Sequence, residues 1–296
     1  MPKITYERKN FTRQTQETIA QAEQIVAQYQ AQGFILTLRQ IYYQFVARAL
    51  IPNTEQSYKR LGNIISDARR AGMIDWNAIE DRTRFIRELS SWDTPQSILE
   101  SAKDSYHRDL WEHQTKRVEV WIEKDALVGV IEGICNETDV PFFSCRGYVS
   151  DSEMWRAGIR IHHHARGGQP VVVLHLGDHD PSGLDMTRDI RDRLELFSSH
   201  ADFEVRRVAL TMEQIEDQRP PPNPAKVTDS RYEGYAAEYG NDSWELDALE
   251  PRFISDLIRD NILGERDEEQ WDLDVEHQEE ERGQIADVIE RWNDLF

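Results

Sequence analysis

Apolar positions recur at helical spacing through the first third of the chain. From Thr12 to Gln32, a polar and Gln-rich run sets Ile19, Ala22, Ile25, Val26 and Tyr29 on one helix face, and Gly33 ends it. Thr37-Leu38-Arg39-Gln40 then fits a capping box, in which the Thr37 hydroxyl and the Gln40 amide each satisfy an orphan N–H. The helix it opens is expected to turn Ile41, Phe45 and Leu50 inward and to stop near Pro52. A third helix is predicted from about Thr54 to Ala71, with Leu61, Ile64, Ile65 and Ala68 on one side. Lys59, Arg60, Arg69 and Arg70 lie mostly on its other sides, and Gly72-Met73-Ile74 begins an extended segment through Trp76.

The pattern changes at Val118. Short apolar runs (Val118–Ile122, Pro141–Cys145, Val171–Leu176 and Phe203–Leu210) alternate with helical stretches near 124–137, 151–165 and 183–198. That alternation of short apolar runs with helices indicates a parallel sheet in an α/β domain. Pro220-Pro221-Pro222 and Pro224 mark a boundary, beyond which acidic amphipathic helices are predicted over 248–262 and 275–292. The expected organisation is therefore a helical winged-helix domain (1–90), a connector (91–116), an α/β domain (117–218) and an acidic helical C-terminal region (219–296).

Composition refines this picture. Two cysteines among 296 residues cannot form a four-thiolate zinc site or a disulfide framework, and no zinc-ribbon set is present. No apolar run approaches the roughly 18 residues of a membrane span, and the first ten residues lack an apolar signal core, so a cytoplasmic protein without a membrane partner is expected. The net charge of −20 argues against a polyanion as partner until its distribution is considered. Residues 1–90 hold 13 Lys/Arg against 9 Asp/Glu, whereas residues 201–296 hold 10 against 27. Affinity for phosphate follows local potential, so the basic N-terminal third leaves DNA open, bound weakly and with strong salt dependence.

In a parallel α/β sheet, ligands bind outside the carboxyl ends of the strands. Two predicted ends carry acids: Val120-Trp121-Ile122-Glu123-Lys124-Asp125, and Leu176-Gly177-Asp178-His179-Asp180-Pro181-Ser182-Gly183. Glu123, Asp178 and Asp180 converging there would make a hard oxygen site suited to Mg²⁺ or Mn²⁺. Asp180 could instead simply cap the following helix. Glu245 and Asp247 could belong to such a site, but acidic helix starts are common. The basic face of Lys59, Arg60, Arg69 and Arg70 is a candidate for the DNA major groove.

Three segments together resemble the Toprim domain of the topoisomerase VI A subunit and its meiotic double-strand-break relative. They are Glu123-Lys124-Asp125-Ala126, Arg146-Gly147-Tyr148, and Gly177-Asp178-His179-Asp180-Pro181-Ser182-Gly183. Upstream, Arg39-Gln40-Ile41-Tyr42-Tyr43 is similar to the family's Arg-Asp-Ile-Tyr-Tyr, whose last tyrosine is the nucleophile. Gln40 stands where the family has Asp, and the sequence after Tyr43 diverges. The resemblance implies that Tyr43 attacks a phosphodiester of double-stranded DNA, with Arg39 holding the scissile phosphate and Lys124 assisting. It implies magnesium bound by Glu123, Asp178 and Asp180, DNA contacts that include Arg146, and a homodimer in which the tyrosine of one copy meets the metal site of the other. Strand passage would need a separate ATP-binding B-type subunit, because no Walker-type loop is present. Two other readings stand beside it: a Toprim nuclease that uses activated water, and a winged-helix DNA-binding protein whose Toprim domain is inactive.

Overall fold

The computed structural model describes residues 3–80 and 89–292. Its N-terminal part is built on three helices, α1 (Arg13–Gln30), α2 (Leu38–Ala47) and α3 (Glu55–Arg70), each opened by a threonine cap. At α2 the capping box forms as expected, the Thr37 N–H donating to Gln40 Oε1 at 2.8 Å. Ile19, Tyr29, Ile41, Phe45, Leu61 and Ile65 make their shared core. The expectations differ from the structure at two places. Helix α2 ends at Ala47, five residues before Pro52, which leaves Leu50 39% exposed rather than inward. Residues 72–75 form a turn and not a strand, followed by a 3-10 turn at Trp76–Ala78. A two-residue parallel pair follows, β1 (Leu36–Thr37) with β2 (Ile79–Glu80). Any wing beyond it falls in residues 81–88, outside the described residues. Helix α4 (Pro95–Ser105) occupies the expected connector.

The central sheet has four parallel strands, β3 (Arg117–Ile122), β4 (Phe142–Ser144), β5 (Val171–Leu176) and β6 (Phe203–Ala209), in the order β4-β3-β5-β6. Every residue of β5 is buried, as an apolar run with helices on both faces requires. One face carries α5 (Val128–Glu137) and the later α10 (Pro251–Leu263), with Ile131, Ile134, Ile254, Ile258 and Ile262 packed on Val118, Val120, Val172 and Leu174. The other carries α6 (Asp151–Arg166) and α7 (Pro181–Phe197) over Trp121, Val171 and Val173. Where α6 crosses the end of α7, a Cβ on Gly158 would sit 2.5 Å from Phe197 Cβ, so glycine sets how closely the two can approach.

After β6 the chain makes α8 (Met212–Gln218) and an excursion over the top of the sheet. Strand β7 (Asn223–Pro224) pairs antiparallel with β8 (Asp242–Ser243) around α9 (Tyr232–Tyr239). A 3-10 turn, Leu246–Ala248, leads into α10, which starts at Pro251 rather than 248, and α11 (Glu268–Glu290) follows. In the C-terminal region, α10 and the Trp271 end of α11 complete the core on one face of the sheet. Among the described residues, no helix is long and apolar enough to cross a membrane.

Candidate active site

Strands β3 and β5 run in register, with Ile122 opposite Leu176, so the residues that follow each strand emerge side by side. The Glu123 N–H donates to Leu176 O at 2.8 Å, and Glu123 Oε2 accepts the Asp178 N–H at 2.8 Å. The loop then turns sharply into α7: Asp180 Oδ1 caps the helix by accepting the Gly183 N–H at 2.6 Å. A Cβ at Gly183 would lie 2.2 Å from Asp178 O, so only glycine permits this turn. Beneath it, the buried Arg207 guanidinium donates to the carbonyls of Asp178 (2.7 Å), Gly177 (3.1 Å) and Gly183 (2.9 Å), and burial pulls its pKa down to about 10.

The excursion after β7 brings in two more acids. The loop after β5 pairs with the segment after β8 through reciprocal bonds, His179 N–H to Trp244 O (2.9 Å) and Trp244 N–H to His179 O (3.0 Å). This places the Leu246 N–H 2.8 Å from Asp178 Oδ1 and fixes Glu245 and Asp247 over the strand ends. Among the described residues, Asp178, Glu245 and Asp247 each bring an oxygen within 4.8 Å of the others, a spacing at which a metal ion could be held. That set shares Asp178 with the expected one. Glu123 and Asp180 border it, their oxygens engaged by the Asp178 and Gly183 N–H groups.

Lys124 lies among these oxygens, 2.9 Å from Asp178 Oδ1 and from Asp247 Oδ1 and in contact with Glu245. Arg39, from α2, bridges in from above, with Nε 2.6 Å from Asp247 Oδ2 and Nη2 against Glu245. The Tyr43 hydroxyl, one turn further on, is 3.5 Å from Arg39 Nη2. Tyr43 and the carboxylates thus meet within one chain, whereas the resemblance places them across two copies. A cavity of ≈390 Å³ opens beside them, lined by Arg39, Tyr43, Asp178, Asp180 and Glu245 among others.

The acids outnumber the cations here, and the titration of each group reflects it. Burial pushes Asp178 up to about 7; Lys124 opposes this, but Glu123, Glu245 and Asp247 reinforce it. Glu123 is raised for the same first reason, burial. Burial pushes Glu245 up too, yet Lys124 and Arg39 outweigh it and hold its carboxyl at about 2. Lys124 is held charged: burial disfavours the ammonium, but Asp247, Asp178 and Glu245 more than compensate. The Tyr43 phenol is raised by burial and then by Asp247 and Glu245, against the pull of Arg39 and Lys124.

Comparison with protein-family models, with curated proteins and with solved structures finds no match. The chemistry therefore rests on the site itself.

The predicted DNA contacts separate into two kinds. Lys59, which pairs with Glu55, and Arg60 and Arg70 are on the surface of α3. Arg146 is 70% exposed and bonds Asp125 Oδ1 at 2.9 Å. Arg69 is turned inward instead: its Nη2 donates to Trp76 O at 2.6 Å, and its guanidinium lies 4.6 Å from the centre of the Trp76 ring. It ties the 76–79 turn to α3 and cannot reach a DNA groove without releasing it. Arg69→Ala is accordingly expected to cost about 1–3 kcal/mol in urea unfolding while leaving the salt dependence of any DNA binding unchanged. A slope lowered by one phosphate contact, with stability intact, would return Arg69 to the surface.

Proposed function

We propose that this protein is a divalent-metal-dependent DNA-breaking enzyme in which Tyr43 attacks the phosphodiester. The observation that carries the reading is the convergence, in one chain, of the Tyr43 hydroxyl, the Arg39 guanidinium and the Asp178–Glu245–Asp247 cluster on one cleft. In this reading α1–α3 form the winged-helix-like domain that delivers Arg39 and Tyr43, and the sheet is a Toprim-like domain whose strand ends deliver Glu123, Lys124 and Asp178.

The donor set is entirely carboxylate, which suits Mg²⁺ or Mn²⁺. An ion held by Asp178, Glu245 and Asp247 would neutralise charge on the scissile phosphate and on the leaving oxygen. Lys124 is the cation such an ion would displace. Arg39 presents a guanidinium to the cleft, able to grip a phosphate oxygen and to stabilise the Tyr43 phenolate. Arg207 keeps the loop after β5 in place from below, through its carbonyls.

One observation favours a second reading. Tyr43 is 4% exposed and its phenol is raised, so it stays protonated unless cations are added. In that case activated water attacks, and Tyr43 is a wall of the cleft. Both readings require the carboxylates. Supercoiled plasmid should be nicked or cut with Mg²⁺ or Mn²⁺, remain intact in EDTA, and remain intact with the Asp247→Asn protein. Undiminished cutting in EDTA would remove metal-dependent cleavage in either form.

A further inference from the structure

The cleft beside Tyr43 is lined by aromatic and amide side chains and Lys226 as well as by carboxylates, Glu55 among them. Tyr58 of α3 forms one wall, edge-on to Tyr42 with ring centroids 5.3 Å apart. Lys226, just past β7, is exposed and also lines the cleft. An amide pair also lines the cleft: Asn53 Nδ2 donates to Asn223 Oδ1 at 2.6 Å, while Asn53 Oδ1 accepts the Tyr42 hydroxyl at 2.8 Å. This pair ties the turn between α2 and α3 to the excursion over the sheet.

Size and chemistry both bear on what can enter. A volume of ≈390 Å³ lies near the lower end of the roughly 300–1,000 Å³ of small-ligand sites, enough for one nucleotide. In an intact duplex the base faces are stacked, and only their edges are presented in the grooves. An aromatic wall can stack on the face of an unstacked base, which a duplex does not present. Rings for bases and cations for the backbone are the composition of single-strand sites.

Building on the DNA-breaking reading above, we infer that this cleft takes one unpaired nucleotide adjoining the scissile phosphate. The substrate is then a DNA strand with unpaired bases, such as a single strand, an overhang, a gap or a locally melted stretch of supercoiled plasmid, rather than relaxed duplex. Tyr58 stacks on the base, Lys226 meets the backbone, and Asn53 and Asn223 line the cleft beside the nucleotide.

Fluorescence anisotropy of the full chain, with a labelled single-stranded oligonucleotide and a blunt duplex of the same sequence, tests this in EDTA, where no cutting occurs. The single strand should bind at least about tenfold more tightly than the duplex. Tyr58→Leu should weaken single-strand binding about tenfold, as for loss of one stacked base, and leave duplex binding unchanged; Tyr58→Phe should retain it. Should Tyr58→Leu fail to fold, the exposed Lys226→Ala gives an independent measure, a single-strand salt slope shallower by about 0.7. Equal or tighter duplex binding, or neutral Tyr58→Leu and Lys226→Ala proteins, overturns the inference while leaving DNA breakage standing. Failure of the wild-type chain to bind either oligonucleotide defeats both.

Discussion

Lys124→Ala should lower the stability of the metal-free protein by about 3–5 kcal/mol, the cost of removing one partner from a buried charge cluster. Lys124 lies 2.9 Å from Asp178 and from Asp247 and also touches Glu245, and its side chain is only 16% exposed. Without it, Arg39 alone faces three clustered carboxylates. The same vacancy makes room for a divalent ion, so Mn²⁺ or Mg²⁺ should restore much of the loss. At a hundredfold excess over its dissociation constant, a ligand adds about 2.7 kcal/mol. Melting curves of both proteins in EDTA and in Mn²⁺ read this directly. The variant should melt on the order of 10 °C lower in EDTA, and its midpoint should rise more with Mn²⁺ than that of the wild type. A variant that matches wild type in EDTA, or ignores the ion, would show that Lys124 does not hold the place of a metal.

Tyr43→Phe separates the two catalytic readings. If the phenol is the nucleophile, cleavage halted by denaturant leaves protein on the 5′ ends of DNA, releasable only by protease. The variant then loses cutting by several orders of magnitude, as when any covalent nucleophile is removed. Its fold should survive, because the hydroxyl's contact with Arg39 is long, at 3.5 Å, and the ring remains. Tyr42→Phe is the control. It gives up bonds to Asn53 Oδ1 (2.8 Å) and Thr54 O (3.2 Å), so about 1 kcal/mol of stability should go while the covalent product remains. Protein-free ends together with a fully active Tyr43→Phe enzyme would leave activated water as the attacking group.

The α/β architecture was legible because short, mainly apolar runs such as Val171–Leu176 alternate with helical stretches, the pattern of a parallel sheet with crossover helices. The neighbourhood of Glu123 and Asp178 followed as well, since parallel strands in register deliver their ends together. Glu245 and Asp247 were harder to assign. They sit on a 3-10 turn after a two-residue strand, and periodicity carries no signal over so short an element. What ties them to the site is a backbone pairing of His179 with Trp244, to which any residue type can contribute. A faint signal existed: Glu245 and Asp247 repeat the two-residue spacing of Asp178 and Asp180, between the apolar Trp244, Leu246 and Leu249. Arg69 misled for a related reason. Its partners are carbonyl oxygens, which sequence does not mark, so an inward guanidinium looked like part of a basic face.

The charged centre draws on four stretches of chain, 39–43, 123–124, 178–180 and 245–247, and the last of them lies furthest along. During synthesis the nascent chain exposes Arg39, Tyr43 and Lys124 long before Glu245 and Asp247 leave the ribosome. Until they do, Asp178 lacks the two carboxylates that complete its cluster, and Arg39 lacks the two acids that hold it beside Tyr43. The order of residues thus works as a timer. In the DNA-breaking reading proposed above, the capacity to cut would arrive only when the strap carrying Glu245 and Asp247 closes over the strand ends.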